Sequence, residues 1–133
     1  MLALTSLIFT TNAIHAYYRS AYWYSAALAG LTVSSVALHA SDKSRLYENH
    51  WFWIDKTMLI IVFSTGLWYT LSSDIGSQTV AVLTFLLVIG LYYGGYLTDS
   101  CCFDNCKESA IFSHACMHFI GSVGHHCVIA AIL

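Results

Sequence analysis

The sequence predicts an all-α fold, a polytopic transmembrane helix bundle with about five transmembrane helices. Of the 133 residues, 58% are hydrophobic and only 9% are charged, whereas soluble domains average about 25% charged residues. Five apolar segments reach or approach the roughly 20 residues that a helix needs to cross a bilayer core. The chain has no proline, and nearly all of its charged residues lie in the breaks between these segments.

Each of the five segments is expected to form one helix. Their predicted limits are about 1–18, 22–41, 51–72, 78–98 and 109–133. The first is the least apolar, because it carries five polar residues between Thr5 and Asn12. Tyrosine and tryptophan gather near several helix ends, as is typical of a membrane–water interface. No linker or repeat divides the chain, so residues 1–133 are expected to form one domain of an integral, multi-pass membrane protein whose organelle is left open.

Charge and cysteine content narrow the classes of function. The net charge of -2 and the absence of a basic segment argue against nucleic acid as a partner. Three of the five cysteines lie in one loop, as "CCFDNC" (Cys101, Cys102 and Cys106). Without matching partners elsewhere, this cluster favours loop thiols, a disulfide or palmitoylation over a metal site.

Polar residues from three predicted helices are expected at one membrane depth. Ser35 and His39 are four residues apart near the end of the second helix and therefore share one side of it. Asp42 follows just past that end, and Asp55 lies one turn into the third helix. His114 and His118, again four apart, lie in the first turns of the last helix. Ionisable residues inside a membrane helix usually mark a functional site.

This combination of residue types is typical of a catalytic zinc site. Two histidines at i and i+4 can bind one metal, and a third completes a set of three protein ligands with an open fourth position. His39, His114 and His118 are the predicted metal ligands. Asp55 would be the carboxylate beside the metal-bound water and Ser35 a hydroxyl donor to it or to an oxyanion. The remaining histidines at 15, 50, 125 and 126 are interpreted as structural or interfacial.

Three segments together resemble the CREST superfamily of membrane hydrolases, which includes the alkaline ceramidases and the progestin and adiponectin receptors. They are "SSVALHASD", "WFWID" and "SHACMHFIGSVG", within about residues 34–58 and 113–124. The superfamily pattern is a serine four residues before a histidine, an aspartate soon after, and HxxxH in the last helix. The myomaker-like branch has "HACD" where this sequence has "HASD", from His39 to Asp42.

The resemblance implies that His39, His114 and His118 bind zinc and that the protein hydrolyses amide or ester bonds in lipids. The superfamily core has seven helices, so a chain with five would be a short, divergent member. Asp42 matches the position of the aspartate in the family motif, whereas Asp55 is expected at the membrane depth of the histidines. Both therefore remain candidates for the catalytic carboxylate.

Two other classes of function remain open. Histidines on different transmembrane helices can ligate haem b, and His39 with His118 or His125 would be the pair in an electron-transfer subunit. Alternatively, the protein is an accessory subunit of a larger membrane complex, and its polar residues satisfy one another. Lipid bilayer, a lipid substrate and partner subunits are therefore the expected partners.

Overall fold

The computed structural model describes residues 1–41 and 48–132, which contain helices and no β-strand. The helices are α1 (Leu2–Ser6), α2 (Ile8–Tyr18), α3 (Tyr22–Ala40), α4 (His50–Leu71), α5 (Ile75–Ile89), a π-helical turn (Gly90–Gly94), α6 (Gly95–Thr98), a 3₁₀ turn (Cys101–Phe103) and α7 (Lys107–Ala130). The all-α prediction is confirmed. The first predicted segment corresponds to α1 and α2, and the fourth corresponds to α5, the π-helical turn and α6. With that grouping, the predicted limits of the five segments agree with the observed ones to within about three residues.

Local hydrogen bonds explain several helix ends. Asn49 caps α4 by accepting from the Trp51 N–H, and Asp74 caps α5 by accepting from the N–H groups of Gly76 and Ser77. After α2 the chain turns at Ser20, which adopts a φ of 59°. There the Ser20 N–H donates to the Tyr17 carbonyl and the Ala21 N–H to the Ala16 carbonyl. This is the hydrogen-bond pattern of a Schellman motif.

Successive long helices run in alternating directions. Ser6 pairs with Ser35, and Ser25 with Ala13, so α3 is antiparallel to the α1–α2 segment. By contrast, residues 12 and 19 pair with residues 122 and 130, so α7 is parallel to α2. One end of the bundle therefore gathers α1, the carboxyl end of α3, and the amino ends of α4 and α7. The candidate site lies at this end.

The core is built around α3. Eight of its residues are buried, more than in any other described helix, and it packs against α2 and α4, while α5 packs against α7. The largest fully buried side chain belongs to Tyr24 of α3, whose ring stacks on Tyr69 of α4 at 5.6 Å between centroids. Small residues permit close approach: a Cβ at Gly66 would lie 2.8 Å from the Tyr24 hydroxyl oxygen. Tight contact of this kind is common between membrane helices.

One of the described helices is long and apolar enough to cross a membrane by length and composition. It runs from Ile75 to Thr98, with a mean hydropathy of 1.9 over its most apolar window. Its first part, α5, has no buried residue. By this criterion, one helix of the described residues supports association with a membrane.

Candidate metal centre

The three predicted metal ligands lie together. His39 comes from the last turn of α3, and His114 and His118 come from successive turns of α7. One ring nitrogen of each lies within 4.8 Å of the others. The ring centroids are 5.0 Å apart for His39 and His114, 5.5 Å for His39 and His118, and 4.8 Å for His114 and His118. His118 is buried, whereas His39 and His114 are half-buried, so the cluster is open on one side.

A threonine fixes the orientation of His118. The Thr5 Oγ1 lies 2.9 Å from Nδ1 of His118 and also 2.9 Å from the Leu2 carbonyl oxygen. Its single hydroxyl proton is donated to that carbonyl, so the Nδ1–H of His118 is the donor in the other bond. The Nε2 lone pair of His118 is then available to a metal. Metal-ligating histidines almost always donate their second ring N–H in this way.

Asp55 is buried beside α3, but it is not part of the histidine cluster. The Ser34 hydroxyl lies 3.2 Å from Oδ1 of Asp55 and 3.1 Å from the Leu31 carbonyl oxygen, so its one proton is shared between these two acceptors. Ser34 and Asp55 are both buried. Lys56 follows Asp55 in sequence, and its Nζ lies 3.2 Å from the Tyr92 hydroxyl and 4.6 Å from the Tyr92 ring centroid. The carboxylate predicted from sequence therefore has a hydroxyl partner, and that partner is Ser34.

Ser35 makes a different contact from the one expected. Its Oγ lies 3.1 Å from Oγ of Ser6, which in turn donates to the Leu2 carbonyl. Ser35 therefore donates to Ser6 and links α3 to α1 at the residue next to Thr5. A role for Ser35 toward a reacting water stays a prediction. Asp42, the alternative carboxylate, lies outside the described residues.

Sequence reasoning missed Thr5 and Ser34. From the sequence, the polar residues of the first helix only make it the least apolar segment. In the structure, Thr5, Ser6 and Asn12 all face other helices. Asn12 is fully buried and makes a reciprocal pair with Ser122: its Nδ2 donates to the Ser122 carbonyl at 2.9 Å and its Oδ1 accepts from the Ser122 hydroxyl at 2.8 Å. Polar side chains in an otherwise apolar helix were the available signal in the sequence, since buried polar groups need hydrogen-bond partners.

All five cysteines are free thiols. Cys101 and Cys102 are half-buried in the 3₁₀ turn, and Cys106 is exposed. Burial, followed by the nearby thiols of Cys101 and Cys116, raises the pKa of Cys102 to about 11. A thiol with such a high pKa is a poor metal ligand and nucleophile, because the thiolate is the reactive form.

Comparisons with protein-family models, with curated proteins and with solved structures found no match to this chain.

Proposed function

We propose that the protein is a membrane-embedded, zinc-dependent hydrolase that cleaves amide or ester bonds in lipids. The observation that carries this proposal is the cluster of His39, His114 and His118, whose ligand atoms lie within 4.8 Å of one another. The CREST-like motifs contain all three of these histidines, and they support the same reaction class.

The donor set suits a small tetrahedral ion. With metal–nitrogen distances of about 2.0–2.1 Å, the ligand nitrogens of a tetrahedral zinc site are about 3.3 Å apart. From a separation of 4.8 Å, each nitrogen would move inward by less than about 1 Å. Haem b fits less well, because a porphyrin plane must separate two opposed histidines, and here three imidazoles converge on one point.

Three residues around the histidine cluster have separate proposed roles in the reaction. When bound, zinc supplies Lewis acidity and a water of lowered pKa. Thr5 holds His118 in the Nδ1–H tautomer. Of the two candidate carboxylates, Asp55 is the one that the structure describes, and we assign to it the role of general base and acid, which would accept a proton from the attacking water and return it to the leaving amine or alcohol. The Ser34 hydroxyl, 3.2 Å from Oδ1 of Asp55, helps to orient this carboxylate.

Membrane insertion of all five helical segments is part of the proposal. Large apolar side chains are exposed around the bundle, among them Trp23 at 85% exposure, Trp68 at 72% and Leu97 at 79%. A water-soluble monomer rarely exposes large contiguous apolar patches. The alternating helix directions are those of a chain that crosses a bilayer five times. The site then lies near one membrane face, where the scissile bond of a lipid can reach it.

Metal content tests the centre. Detergent-purified protein is expected to carry about one zinc after mild chelation, measured by elemental analysis. His118→Gln and His114→Gln should each lose it, whereas His50→Gln, a matched change at the exposed start of α4, should not. Thr5→Val, which replaces the hydroxyl with a methyl group of similar size, should weaken zinc affinity about 10- to 100-fold. A wild-type chain that neither carries nor takes up zinc would exclude the centre and favour an accessory subunit.

Hydrolysis tests the chemistry. Wild-type protein in mixed micelles should release fatty acid from a fluorescent ceramide-type amide or from the corresponding ester. Asp55→Asn should lower kcat at least about 100-fold at unchanged zinc content. Asp99→Asn serves as the matched control, because Asp99 lies in a loop with a φ of 49° that asparagine also tolerates. Equal rates for wild type and Asp55→Asn would remove Asp55 from the mechanism.

A further inference from the structure

A lysine lies within the first turns of α4, at the same end of the bundle as the three-histidine cluster. Lys56 follows the start of α4 at His50 by six residues, or about 9 Å along the helix axis. Its Nζ lies 3.2 Å from the Tyr92 hydroxyl oxygen and 4.6 Å from the centroid of the Tyr92 ring. The Phe52 ring, one turn nearer the start of α4, has its centroid 5.5 Å from the same atom. The ammonium group is therefore held between α4 and the π-helical turn that follows α5.

The charge of Lys56 is not neutralised by a carboxylate. Among the described residues, Lys56 forms no ion pair, and the adjacent Asp55 faces α3, where it contacts Ser34. The two aromatic rings attract the ammonium group instead, since a cation is attracted to the face of a ring. An ionisable residue inside a membrane helix usually marks a functional site. The charge of Lys56 is therefore available to an anionic ligand.

Lys56 and Tyr92 together offer several hydrogen-bond donors to such an anion. The ammonium group has three N–H bonds and directs one of them to the Tyr92 oxygen. Since that oxygen accepts, the Tyr92 O–H can donate to the same anion as Lys56. Edge contacts with Phe103 and Tyr93 fix the Tyr92 ring, at 5.2 and 5.3 Å between ring centroids. A lysine beside a hydroxyl donor suits a phosphate oxygen, which lysine commonly binds as a point charge.

A seam between α4 and α5 runs from Lys56 along the outside of the bundle. α4 packs mainly against α3, and α5 mainly against α7. Across the seam, Lys56 contacts Tyr92 at one level, and Phe63 stacks on Phe85 at another, with 4.8 Å between the ring centroids. Phe63 and Phe85 are both exposed. Apolar side chains thus line a path on which an acyl chain can lie when its headgroup is at Lys56.

Exposed aromatic residues flank Lys56 at the same end of the bundle. Trp51 and Trp53 lie in the first turn of α4, whereas Tyr93 and Tyr96 lie in the π-helical turn and in α6. All four side chains are exposed. Tryptophan and tyrosine gather at the level of lipid headgroups, and basic pockets between membrane helices bind anionic headgroups. Lys56 therefore lies at the level expected for a lipid phosphate.

We propose that Lys56 and Tyr92 bind the phosphate of an anionic phospholipid whose acyl chains lie along the α4–α5 seam. This inference rests on the membrane insertion proposed above, and it does not depend on zinc or on hydrolysis. A zwitterionic phospholipid would bind less tightly, because its own ammonium group offsets the charge of the phosphate.

Lipid titration of the full-length, detergent-purified protein tests the proposal. Native mass spectrometry compares phosphatidic acid with phosphatidylcholine of the same acyl chains. The wild type should bind one phosphatidic acid at least about fivefold more tightly than phosphatidylcholine. Lys56→Gln should lose this preference, and Lys56→Arg should keep it. Tyr92→Phe, which keeps the ring and removes the hydroxyl, should reduce it.

Two controls separate this site from other charges and from the metal centre. Lys107→Gln removes an exposed lysine at the start of α7 and should leave the lipid preference unchanged. His118→Gln should also leave it unchanged, so a failure of the zinc centre would not alter the result. If Lys56→Gln and Tyr92→Phe both keep the wild-type preference, the proposal is wrong. If millimolar inorganic phosphate displaces the lipid, the site takes a soluble phosphate and the lipid assignment is wrong.

Discussion

Hydroxyl groups determine the geometry of the ionisable side chains in this protein. Thr5 accepts from His118, Ser34 donates to Asp55, and Thr11 accepts from His126. Each threonine also donates to a backbone carbonyl of its own helix, which leaves only the acceptor function for the histidine. The Ser34–Asp55 contact is buried, so it is more costly to lose than a hydrogen bond in water, because no solvent replaces it. Single hydroxyl deletions at Thr5, Ser34 and Thr11 therefore probe the ionisable side chain that each one contacts.

The loop cysteines give a pH-dependent prediction at the residue scale. The pKa of Cys102 is raised to about 11, so at pH 8 only about one thiol in a thousand is ionised. We expect iodoacetamide to modify the exposed Cys106 much faster than Cys102 at pH 8, measured by mass spectrometry of peptides. As the pH rises toward the pKa of Cys102, its rate should increase about tenfold per pH unit. Equal rates at pH 8 would contradict the burial of Cys102.

At the scale of helices, glycine sets the distance between α5 and α7. A Cβ at Gly124 would collide with Oγ1 of Thr84 and would lie 3.0 Å from its Cβ. Thr84 cannot easily move away, because its hydroxyl donates to the Val80 carbonyl at 2.9 Å within α5. Since α5 has no buried residue of its own, its attachment depends on close contacts of this kind.

Gly124→Ala is therefore expected to lower the free energy of unfolding by about 1–3 kcal/mol through overpacking. Thermal unfolding in detergent, followed by circular dichroism, measures this loss. Gly90→Ala is the matched control, because a Cβ there has no atom within 4 Å, and it should be neutral or slightly stabilising. The double change Gly124→Ala with Thr84→Ala should recover part of the loss. A stability for Gly124→Ala equal to that of Gly90→Ala would contradict the close α5–α7 contact.

At the scale of the whole molecule, the parallel pairing of α2 and α7 separates the three-histidine cluster from the His15–His126 pair. Pairs 12–122 and 19–130 run in the same order along both helices, which requires an odd number of long segments from the first to the last. The three-histidine cluster lies at the amino end of α7, and His126 lies near its carboxyl end. In a chain that crosses a membrane five times, the cluster and the His15–His126 pair would lie toward opposite faces.

Thiol labelling tests this topology. In chains with one cysteine each, the native Cys106 should react with an impermeant maleimide from one side of the membrane. Cysteines introduced as Ser20→Cys and Ser73→Cys should both react from the other side. Two helical segments separate Ser20 from Ser73, which returns the chain to the same side, and one segment separates Ser73 from the Cys106 loop. The readout is a mass shift in sealed vesicles before and after permeabilisation. Labelling of Ser73→Cys and Cys106 from the same side would exclude a membrane-crossing Ile75–Thr98 helix.

The helices and the histidine cluster were both predictable from sequence. Apolar segments without proline, interrupted by charged or capping residues such as Asn49 and Asp74, predict where helices begin and end because these are local properties of the chain. The i and i+4 spacing of His114 and His118 places both on one side of α7 by helix geometry alone. His39 was added from its expected depth, and the structure brings all three histidines together.

Only the tertiary structure decided which hydroxyls serve these groups. Ser34 and Ser35 are neighbours in sequence, yet they point to different helices, so one donates to Asp55 and the other contacts Ser6. Thr5 and His118 are 113 residues apart in the sequence. Other hydrogen-bonded partners between the α1–α2 segment and α7 have similar sequence separations. Contacts at such separations depend on how the helices rotate and pack against one another, and helix periodicity within one segment carries no information about that rotation.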